Sequence, residues 1–324
     1  MKVLFLVQKE QRILLDHFYA SIAAHCDCDL RWLSDEEQAD LRGYFRRAVP
    51  QPEQYDRILL FLRFKKQLKQ IAFIRSLPNL VELEHDAYQN FIPCKYTGKF
   101  SRYYQAIPHV RVLVSGAGVA RRLQEEGVDA IFVPKGYDDS RLRDLGLARD
   151  IELGFVGSLG SVAYSGRKQL LEDLAKVEPL LITKTRSGDE YLQTLNRIRF
   201  FVGADVGMGE YMIKNFEAMA CGCVLFTYDQ GEEENRALGF EDGVNVVLYR
   251  SLDELREKLA KLRADPVKAI CIARCGRKLS SERFSFSVIG RNLVSNLMSD
   301  LRKKDTKKPF ILKRWFDLCR ALMR

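Results

Sequence analysis

Two charged side chains lie close together on one predicted helix, within residues 209–223 (GEYMIKNFEAMACGC). Residues 200–205 predict a buried strand and a short loop before this helix, and Gly222 ends it. Free N–H groups and the helix dipole favour negative charge at such a helix start. Lys214 adds a cation there, whereas Glu217 is poorly placed for phosphate and well placed to accept hydrogen bonds from sugar hydroxyls. These residue types and their spacing predict a nucleotide-sugar site.

Other chemically capable side chains follow predicted strands. His85 comes after the strand predicted at 79–84 and precedes Asp86. It could contact a transferred sugar or assist an acceptor hydroxyl, or it could be a loop histidine capped by the neighbouring acid. Lys184 follows the strand predicted at 179–183 and is a candidate for nucleotide contact.

Motifs of other catalytic classes are missing from the sequence. There is no Gly-Lys-Ser/Thr phosphate loop, no Gly-x-Ser-x-Gly elbow and no His-Glu-x-x-His pair. Gly116 and Gly118 follow a strand, but position 121 is Arg, so they predict a close helix–strand contact. Asp27 and Asp29 have metal-motif spacing but precede a strand. The eight cysteines lack zinc-ligand spacing, which favours reduced, buried thiols.

The elements that must position these residues alternate between strand and helix. Strands are predicted at 1–7, 28–33, 56–62, 79–84, 110–114, 130–133, 151–156, 179–183, 200–205, 224–226 and 245–249. Helices are predicted at 10–26, 64–76, 116–126, 170–176, 189–198, 252–263, 267–281 and 286–302, with a loop and short helix in 94–109. A further helix carries Lys214 and Glu217 on its early turns and stops at Gly222. This alternation predicts an α/β fold of parallel sheets with crossovers. Two such halves, divided at the polar connector 142–149, predict a cleft between them.

Length and charge limit the remaining classes. The chain has 324 residues, 47% of them hydrophobic and 29% charged, which suits two domains without a membrane-spanning helix. The first seven residues are too short an apolar run for a signal peptide and predict a first strand, so a cytoplasmic location is expected. Net charge is +9, which favours anionic partners.

Most of that charge belongs to the C-terminal tail. Residues 302–324 hold nine Lys or Arg and two Asp. Residues 309–324 predict a basic amphipathic helix, which could lie on an anionic membrane at its inner face or pack back across the first domain. Nucleic acid is not predicted as a partner, because no aromatic residues are interleaved with the lysines that precede this helix.

The second half resembles the C-terminal domain of retaining GT-B glycosyltransferases. The resemblance rests on residues 214–222 (KNFEAMACG), on 154–158 (GFVGS) with Arg167 about ten residues further on, and on 241–245 (EDGVN) before 252–255 (LDEL). The resemblance covers about 150–300. The first half resembles the family only in its order of strands and helices and in two short segments, 85–86 and 134–138. The resemblance implies two Rossmann-like domains whose parallel sheets face each other across a cleft. The domains would be 1–148 for the acceptor and 149–300 for the nucleotide sugar, followed by a basic amphipathic tail at 301–324.

The resemblance also implies roles for the donor-binding residues. Glu217 would bind the ribose, and the helix start near Lys214 and Asn215 would hold the diphosphate. Arg167 or Lys168 would neutralise the diphosphate, since fixed cations and helix N–H groups stabilise charge that develops on a leaving group. Further donor contacts are predicted from Gly157, Ser158 and Lys184. Neither a metal nor another cofactor is expected, because GT-B enzymes generally work without a bound metal.

The catalytic residues that the resemblance implies are His85 and Glu210. The family pattern places two glutamates with seven residues between them, whereas six separate Glu210 from Glu217 here. The usual Arg and Lys of the family also lie farther apart than Arg167 and Lys168.

The function implied is transfer of a sugar, with retention, from a nucleotide diphosphate to a hydroxyl. The acceptor would be a glycan or a lipid-linked molecule of bacterial-type surface polysaccharide or lipopolysaccharide synthesis. Two alternatives remain open. One is a non-catalytic nucleotide-sugar-binding module, which the spacing of Glu210 favours. The other is a sugar-nucleotide epimerase of the same double Rossmann layout, which would interconvert donor sugars without any acceptor.

Overall fold

The computed structural model describes residues 1–10, 14–160, 165–186 and 188–303. Within them the chain forms two compact units, each with its own parallel sheet, which confirms the predicted α/β class. The first unit holds residues 1–115, 119–133 and the described chain from Gly290 onward, and the second holds 116–118 and 134–289. The predicted domain limits at 148 and 300 were drawn from sequence patterns alone and stay a prediction. The tail helix predicted at 309–324 lies outside the described residues.

The first sheet has six parallel strands in the order β2-β1-β3-β4-β5-β6. Their bounds are Lys2–Gln8 (β1), Asp27–Leu33 (β2), Arg57–Phe61 (β3), Leu80–Glu84 (β4), Arg111–Val114 (β5) and Asp129–Phe132 (β6). The side chains of residues 3–7 and 58–60 are completely buried. Strands covered on both faces have continuous apolar sequences, which is why these runs could be predicted.

The second sheet has five parallel strands in the order β11-β10-β9-β7-β8. Their bounds are Ile151–Val156 (β7), Leu180–Thr183 (β8), Ile198–Gly203 (β9), Val224–Tyr228 (β10) and Val247–Tyr249 (β11). In both sheets the strand that comes first in sequence has later strands on both sides. The crossovers therefore leave it in opposite directions, as in doubly wound folds.

The helices accompany these strands in the predicted alternation. In chain order they are Asp16–Ala23 (α1), Asp35–Ala39 (α2), Leu41–Ala48 (α3), Phe64–Gln67 (α4), Ile71–Ile74 (α5), Lys99–Gln105 (α6), Ala117–Glu125 (α7), Ser165–Ala175 (α8), Asp189–Arg197 (α9), Ile213–Ala220 (α10), Glu232–Leu238 (α11), Leu252–Ala264 (α12), Pro266–Arg283 (α13) and Phe286–Met298 (α14). Single-turn 3₁₀ helices occupy Pro52–Gln54 and Ala87–Asn90.

Three helices had no predicted counterpart, and one predicted helix is divided in two. Helices α2, α3 and α11 are short, and the first two depend on caps: Ser34 forms a reciprocal capping box with Glu37, and Asp40 accepts the Gly43 N–H at 2.9 Å. The single helix predicted at 64–76 is two short ones. It breaks at Gln70, whose side chain bonds the backbone of the first unit at Leu41 and Gln38.

The described cysteines are unpaired, and their burial differs. Cys221 and Cys223 are buried as predicted, whereas Cys271 and Cys275 are exposed on α13, so the prediction of buried thiols is wrong for them. No helix in the described ranges is both long enough and apolar enough to span a bilayer.

Candidate functional site

The loops that follow β7 and β9 lie side by side in the second unit. These two strands are neighbours, and the crossovers that follow them run in opposite directions, to β8 and to β10. In open parallel sheets, ligands bind at such a switch point, beyond the carboxyl ends of the strands. Gly157 and Ser158 follow β7, where the Gly157 N–H donates to Thr183 O at 2.9 Å and Ser158 is exposed. The predicted donor residues of this loop therefore lie at the edge where a nucleotide would bind.

Asp205 connects the end of β9 to the start of α10. Its carboxylate is 3% exposed and accepts the Met212 N–H at 3.0 Å and the Asn215 amide at 2.7 Å through Oδ2. Its Oδ1 accepts Nη2 of Arg167 at 2.6 Å. Gly203 leaves room for the Asn215 side chain, because a Cβ at position 203 would lie 2.1 Å from the Asn215 amide oxygen. The network fixes the first turn of α10 relative to the sheet.

Glu217 and Lys214 lie together one turn into α10, as their spacing predicted. Lys214 Nζ is 3.3 Å from Glu217 Oε2 and donates to the Tyr191 hydroxyl at 2.9 Å, 4.1 Å from the centre of that ring. The Tyr191 hydroxyl donates to Glu217 Oε2 at 2.5 Å. Burial, and then the charge of Glu217, raise the pKa of Tyr191 well above its usual value, so this hydroxyl stays protonated. Glu217 Oε1 makes no hydrogen bond to a described residue and can accept one from a ligand.

Glu210 lies in a buried ion pair. Lys135 Nζ is 2.5 Å from Glu210 Oε1 and 3.5 Å from the sulfur of Met212, and the two charged side chains are 8% and 1% exposed. Glu234 is also buried, and its Oε2 accepts the N–H of Ala117 at 2.7 Å. Burial, and then the charge of Glu210, raise the pKa of Glu234 to about 8. In this arrangement Glu210 Oε1 accepts a hydrogen bond from Lys135.

The remaining predicted site residues are placed differently. Lys168 is 55% exposed and 3.7 Å from Glu172 on the surface of α8, and Lys184 is exposed after β8. His85 belongs to the first unit, where its ring packs against those of Phe61 and Phe18 at centroid distances of 5.1 and 6.2 Å. The structure thus joins Arg167 and Asn215 through one carboxylate and Lys214 to Glu217. It brings neither Lys168 nor Lys184 into that network among the described contacts.

Four residues at this site were missed by sequence reasoning. Asp205 carried a usable signal, since it is an acidic residue just beyond the carboxyl end of a predicted strand. Lys135 lies in the segment 134–138 that resembles the family, but its pairing with Glu210, 75 residues away, left no pattern. Tyr191 and Glu234 carried no signal, because they are 26 residues from Glu217 and 116 or more from their backbone donors. Such contacts depend on the tertiary fold and leave no local spacing pattern.

A cavity of about 370 Å³ in the same unit lies elsewhere, at the amino ends of β7, β9 and β10. Arg149 and Arg199 line it together with Asp144 and Val224. Arg149 Nη2 donates to the carbonyl of Cys221 at 2.6 Å, so this arginine satisfies the C-terminal end of α10. The cavity lies at the opposite edge of the sheet from Gly157 and Asp205.

Part of the chain matches a known protein family in sequence, and most of it resembles solved structures in fold. Residues 149–294 match the family model described as glycosyl transferase-like. Among curated proteins, no sequence matches the chain. Similar solved structures include HepE of Anabaena in complex with UDP and glucose, at 16% identity and a TM-score of 0.69, with 93% of this chain and 100% of that chain covered.

Two further solved structures resemble the chain. Sucrose-phosphate synthase from Thermosynechococcus elongatus is 12% identical with a TM-score of 0.66, covering 91% of this chain and 98% of that one. A glycosyltransferase from Rickettsia africae is 11% identical with a TM-score of 0.61, covering 91% and 97%. At these identities the likeness concerns the fold. The chain therefore has the GT-B fold of two Rossmann-like domains, and its residues 149–294 are glycosyl transferase-like in sequence.

Proposed function

We propose that the chain is a glycosyltransferase that moves a hexosyl or related sugar from a nucleotide diphosphate to an acceptor hydroxyl, with retention of configuration. The acceptor would be a glycan or a lipid-linked molecule, as in the synthesis of bacterial surface polysaccharide or lipopolysaccharide. The second unit would bind the donor and the first unit the acceptor.

The observation that carries this proposal is the pairing of Glu217 with Lys214 at the start of α10. Both residues belong to the segment that matches the glycosyl transferase-like family, and their helix starts at the carboxyl edge of the second sheet. HepE of Anabaena, which shares the fold, has been solved with UDP-glucose, so UDP-glucose is the first donor to test.

Each part of the donor would have a counterpart in this arrangement. The first-turn N–H groups of α10 and the Lys214 ammonium would hold the diphosphate. Glu217 Oε1 would accept a ribose hydroxyl, and Gly157, Ser158 and Lys184 would contribute further contacts. His85 and Glu210 are proposed to act at the transferred sugar. No metal is proposed for the reaction.

One observation favours a second candidate, a nucleotide-sugar-binding module without catalysis. Glu210 is fully buried and paired with Lys135, so this carboxylate would have to leave its partner to reach a sugar. Donor hydrolysis or transfer in a screen of nucleotide sugars excludes this candidate, whereas donor binding without either reaction supports it.

Nucleotide binding by Glu217→Gln tests the proposal most directly. Loss of a hydrogen bond to an ionised group costs about 1.5–3 kcal/mol, so UDP or GDP should bind roughly 10- to 150-fold more weakly. Thermal-shift titrations with UDP, GDP, ADP and CMP identify the base, and product analysis with the matching sugar nucleotide measures transfer. Glu257→Gln, on the surface of α12 and 65% exposed, is the matched control. A Glu217→Gln protein that binds nucleotide and transfers sugar normally contradicts the proposal.

A further inference from the structure

A cavity of about 260 Å³ in the first unit is surrounded almost entirely by cations. The residues that line it are Asp35, Arg63, Lys65, Lys66 and Lys69. Asp35 contributes the one carboxylate among them, so four positive charges face one negative charge. Like charges held this close repel one another, which favours a bound anion.

The cavity lies where the doubly wound topology places ligands. Arg63 follows the carboxyl end of β3, and its guanidinium donates to the Gln8 side chain at 3.2 Å and to the carbonyl of Glu10 at 3.2 Å. Gln8 ends β1, the strand that precedes β3 in the sheet order. The crossovers from these two strands run in opposite directions, so the cavity adjoins the switch point of the first sheet.

Two of the four cations make no ion pair with a described carboxylate. Asp35 forms ion pairs with Arg63, at 2.5 Å between Oδ1 and Nη1, and with Lys66, at 3.5 Å between Oδ2 and Nζ. Lys65 and Lys69 are exposed on the rim, with no such partner in the ranges that the structure covers. The positive charge that is left for a ligand is therefore that of Lys65 and Lys69.

The side chain of Gln67, which lies between these two lysines in sequence, is fixed by hydrogen bonds in the core. Gln67 is 2% exposed, and its amide donates to the carbonyl of Leu62 at 3.2 Å. Its side-chain oxygen accepts the buried hydroxyl of Tyr103 at 3.1 Å. Lys65 and Lys69 are thus carried by a fixed turn, unlike lysines on a mobile surface segment.

A second basic segment lies against the first. Residues 91–105 contain Lys95, Lys99 and Arg102 and no acidic residue. The rings of Phe64 and Phe100 stack at 3.7 Å between centroids, which holds this segment beside residues 63–69. The loops after β3 and β4 therefore bring cations from two segments to the same edge of the first sheet.

We propose that this cavity binds a phosphate group of the acceptor substrate. The inference rests on the proposed function and specifies its acceptor as a phosphorylated molecule, either a soluble sugar phosphate or a lipid with a phosphate headgroup. Lysine binds phosphate as a compact point charge. The cavity is smaller than the roughly 300–1,000 Å³ typical of sites for drug-sized ligands, so it fits one charged group and not a whole glycan. Phe64 and Phe100 are buried, so they offer no ring face for nucleobase stacking.

Calorimetric titration of the full chain with inorganic pyrophosphate tests the inference. The protein is first saturated with UDP, so that the proposed donor site is filled. Wild type should bind pyrophosphate, and Lys65→Gln/Lys69→Gln should bind it about tenfold more weakly at low salt, with a smaller dependence on salt concentration. Arg46→Gln/Arg47→Gln removes the same charge from exposed positions at the end of α3 and should change the affinity less than twofold. Helix α3 ends ahead of β3, at the amino edge of the sheet, so this control is remote from the cavity.

A second titration distinguishes the two sources of phosphate. If the lipid is the source, vesicles containing phosphatidylglycerol bind wild type more tightly than phosphatidylcholine vesicles do, and Lys65→Gln/Lys69→Gln reduces that preference. If a soluble acceptor is the source, only glucose 6-phosphate, and not glucose, shows the variant-dependent affinity. Equal pyrophosphate affinity of wild type and Lys65→Gln/Lys69→Gln, or no binding by wild type, overturns the inference. UDP binding and donor turnover are read separately, so a failure of the proposed function is recognised independently.

Discussion

The buried ion pair between Lys135 and Glu210 should contribute far more to stability than an exposed pair of the same chemistry. Its charged atoms are 2.5 Å apart and the side chains are 8% and 1% exposed. At this distance the attraction is about 7 kcal/mol for an effective dielectric constant of about 20, against about 1.7 kcal/mol in water. Desolvation offsets much of this, and removing one partner of a buried pair typically costs about 3–5 kcal/mol.

The chain contains a matched exposed pair. Lys261 and Glu257 are also 2.5 Å apart, but their side chains are 70% and 65% exposed. Exposed pairs four residues apart on a helix contribute about 0.3–0.5 kcal/mol. The two pairs share residue types and distance, and they differ in burial and in sequence separation, which is 75 residues for the buried pair and four for the exposed one.

A double-mutant cycle measures both pairs. We expect Lys135→Met and Glu210→Gln each to lower the free energy of unfolding by about 3 kcal/mol or more, and the double variant to cost clearly less than the sum. The corresponding cycle for Lys261→Met and Glu257→Gln should give a coupling below about 0.5 kcal/mol. Equilibrium urea unfolding followed by circular dichroism supplies the free energies, taken from the transition that shifts in the variants, because the chain has two units. A coupling for the buried pair as small as that of the exposed pair would refute the reasoning.

Two further predictions concern the pH dependence of stability and the tail. The pKa of Glu234 is raised to about 8, so the folded protein keeps a proton that the unfolded chain releases near pH 4.5, and stability should fall as pH rises between these values. Glu234→Gln removes this titration, so its urea midpoint should be higher than that of wild type at pH 8.5 and similar at pH 5. Glu232→Gln, exposed on the same helix, should show no such trend. A Glu234→Gln protein that is less stable than wild type at pH 8.5 contradicts the assignment. For the tail, the full chain should sediment with anionic liposomes and a chain lacking residues 303–324 should not, because the deletion removes a net charge of +6 and the predicted amphipathic helix. Equal recovery of the two chains rules the membrane contact out.

The sequence was most informative where the physics is local. The inner strands of both sheets are buried and largely apolar, so their composition locates them, whereas the edge strands β2 and β8 are only partly buried. Lys214 and Glu217 are three residues apart, and a helix alone brings such residues together, which the 3.3 Å contact confirms. Helices α2 and α3 were not predicted, because they lie in a strongly charged segment and each begins at a single capping residue, Ser34 or Asp40.

Sequence reasoning does not identify a side chain's partner when that partner lies far along the chain. Glu210 was predicted as a catalytic residue because the resemblance implies a glutamate upstream of Glu217. Its observed partner, Lys135, comes from a segment 75 residues earlier. The residues around Glu210 do not specify that partner. A buried carboxylate requires a nearby cation or hydrogen-bond donor, and the tertiary structure determines which residue supplies it.

The immediate contact of Arg167 differs from the predicted one. The expected partner was a diphosphate, but its Nη2 bonds Asp205, whose other oxygen holds the start of α10. Without that arginine, an uncompensated buried carboxylate would face the position where α10 begins and would repel any anion there. With it, the charges of Arg167 and Asp205 cancel, as do those of Lys214 and Glu217 around the same turn. The dipole and first-turn N–H groups of α10 then act on an approaching phosphate without opposition from a net negative charge.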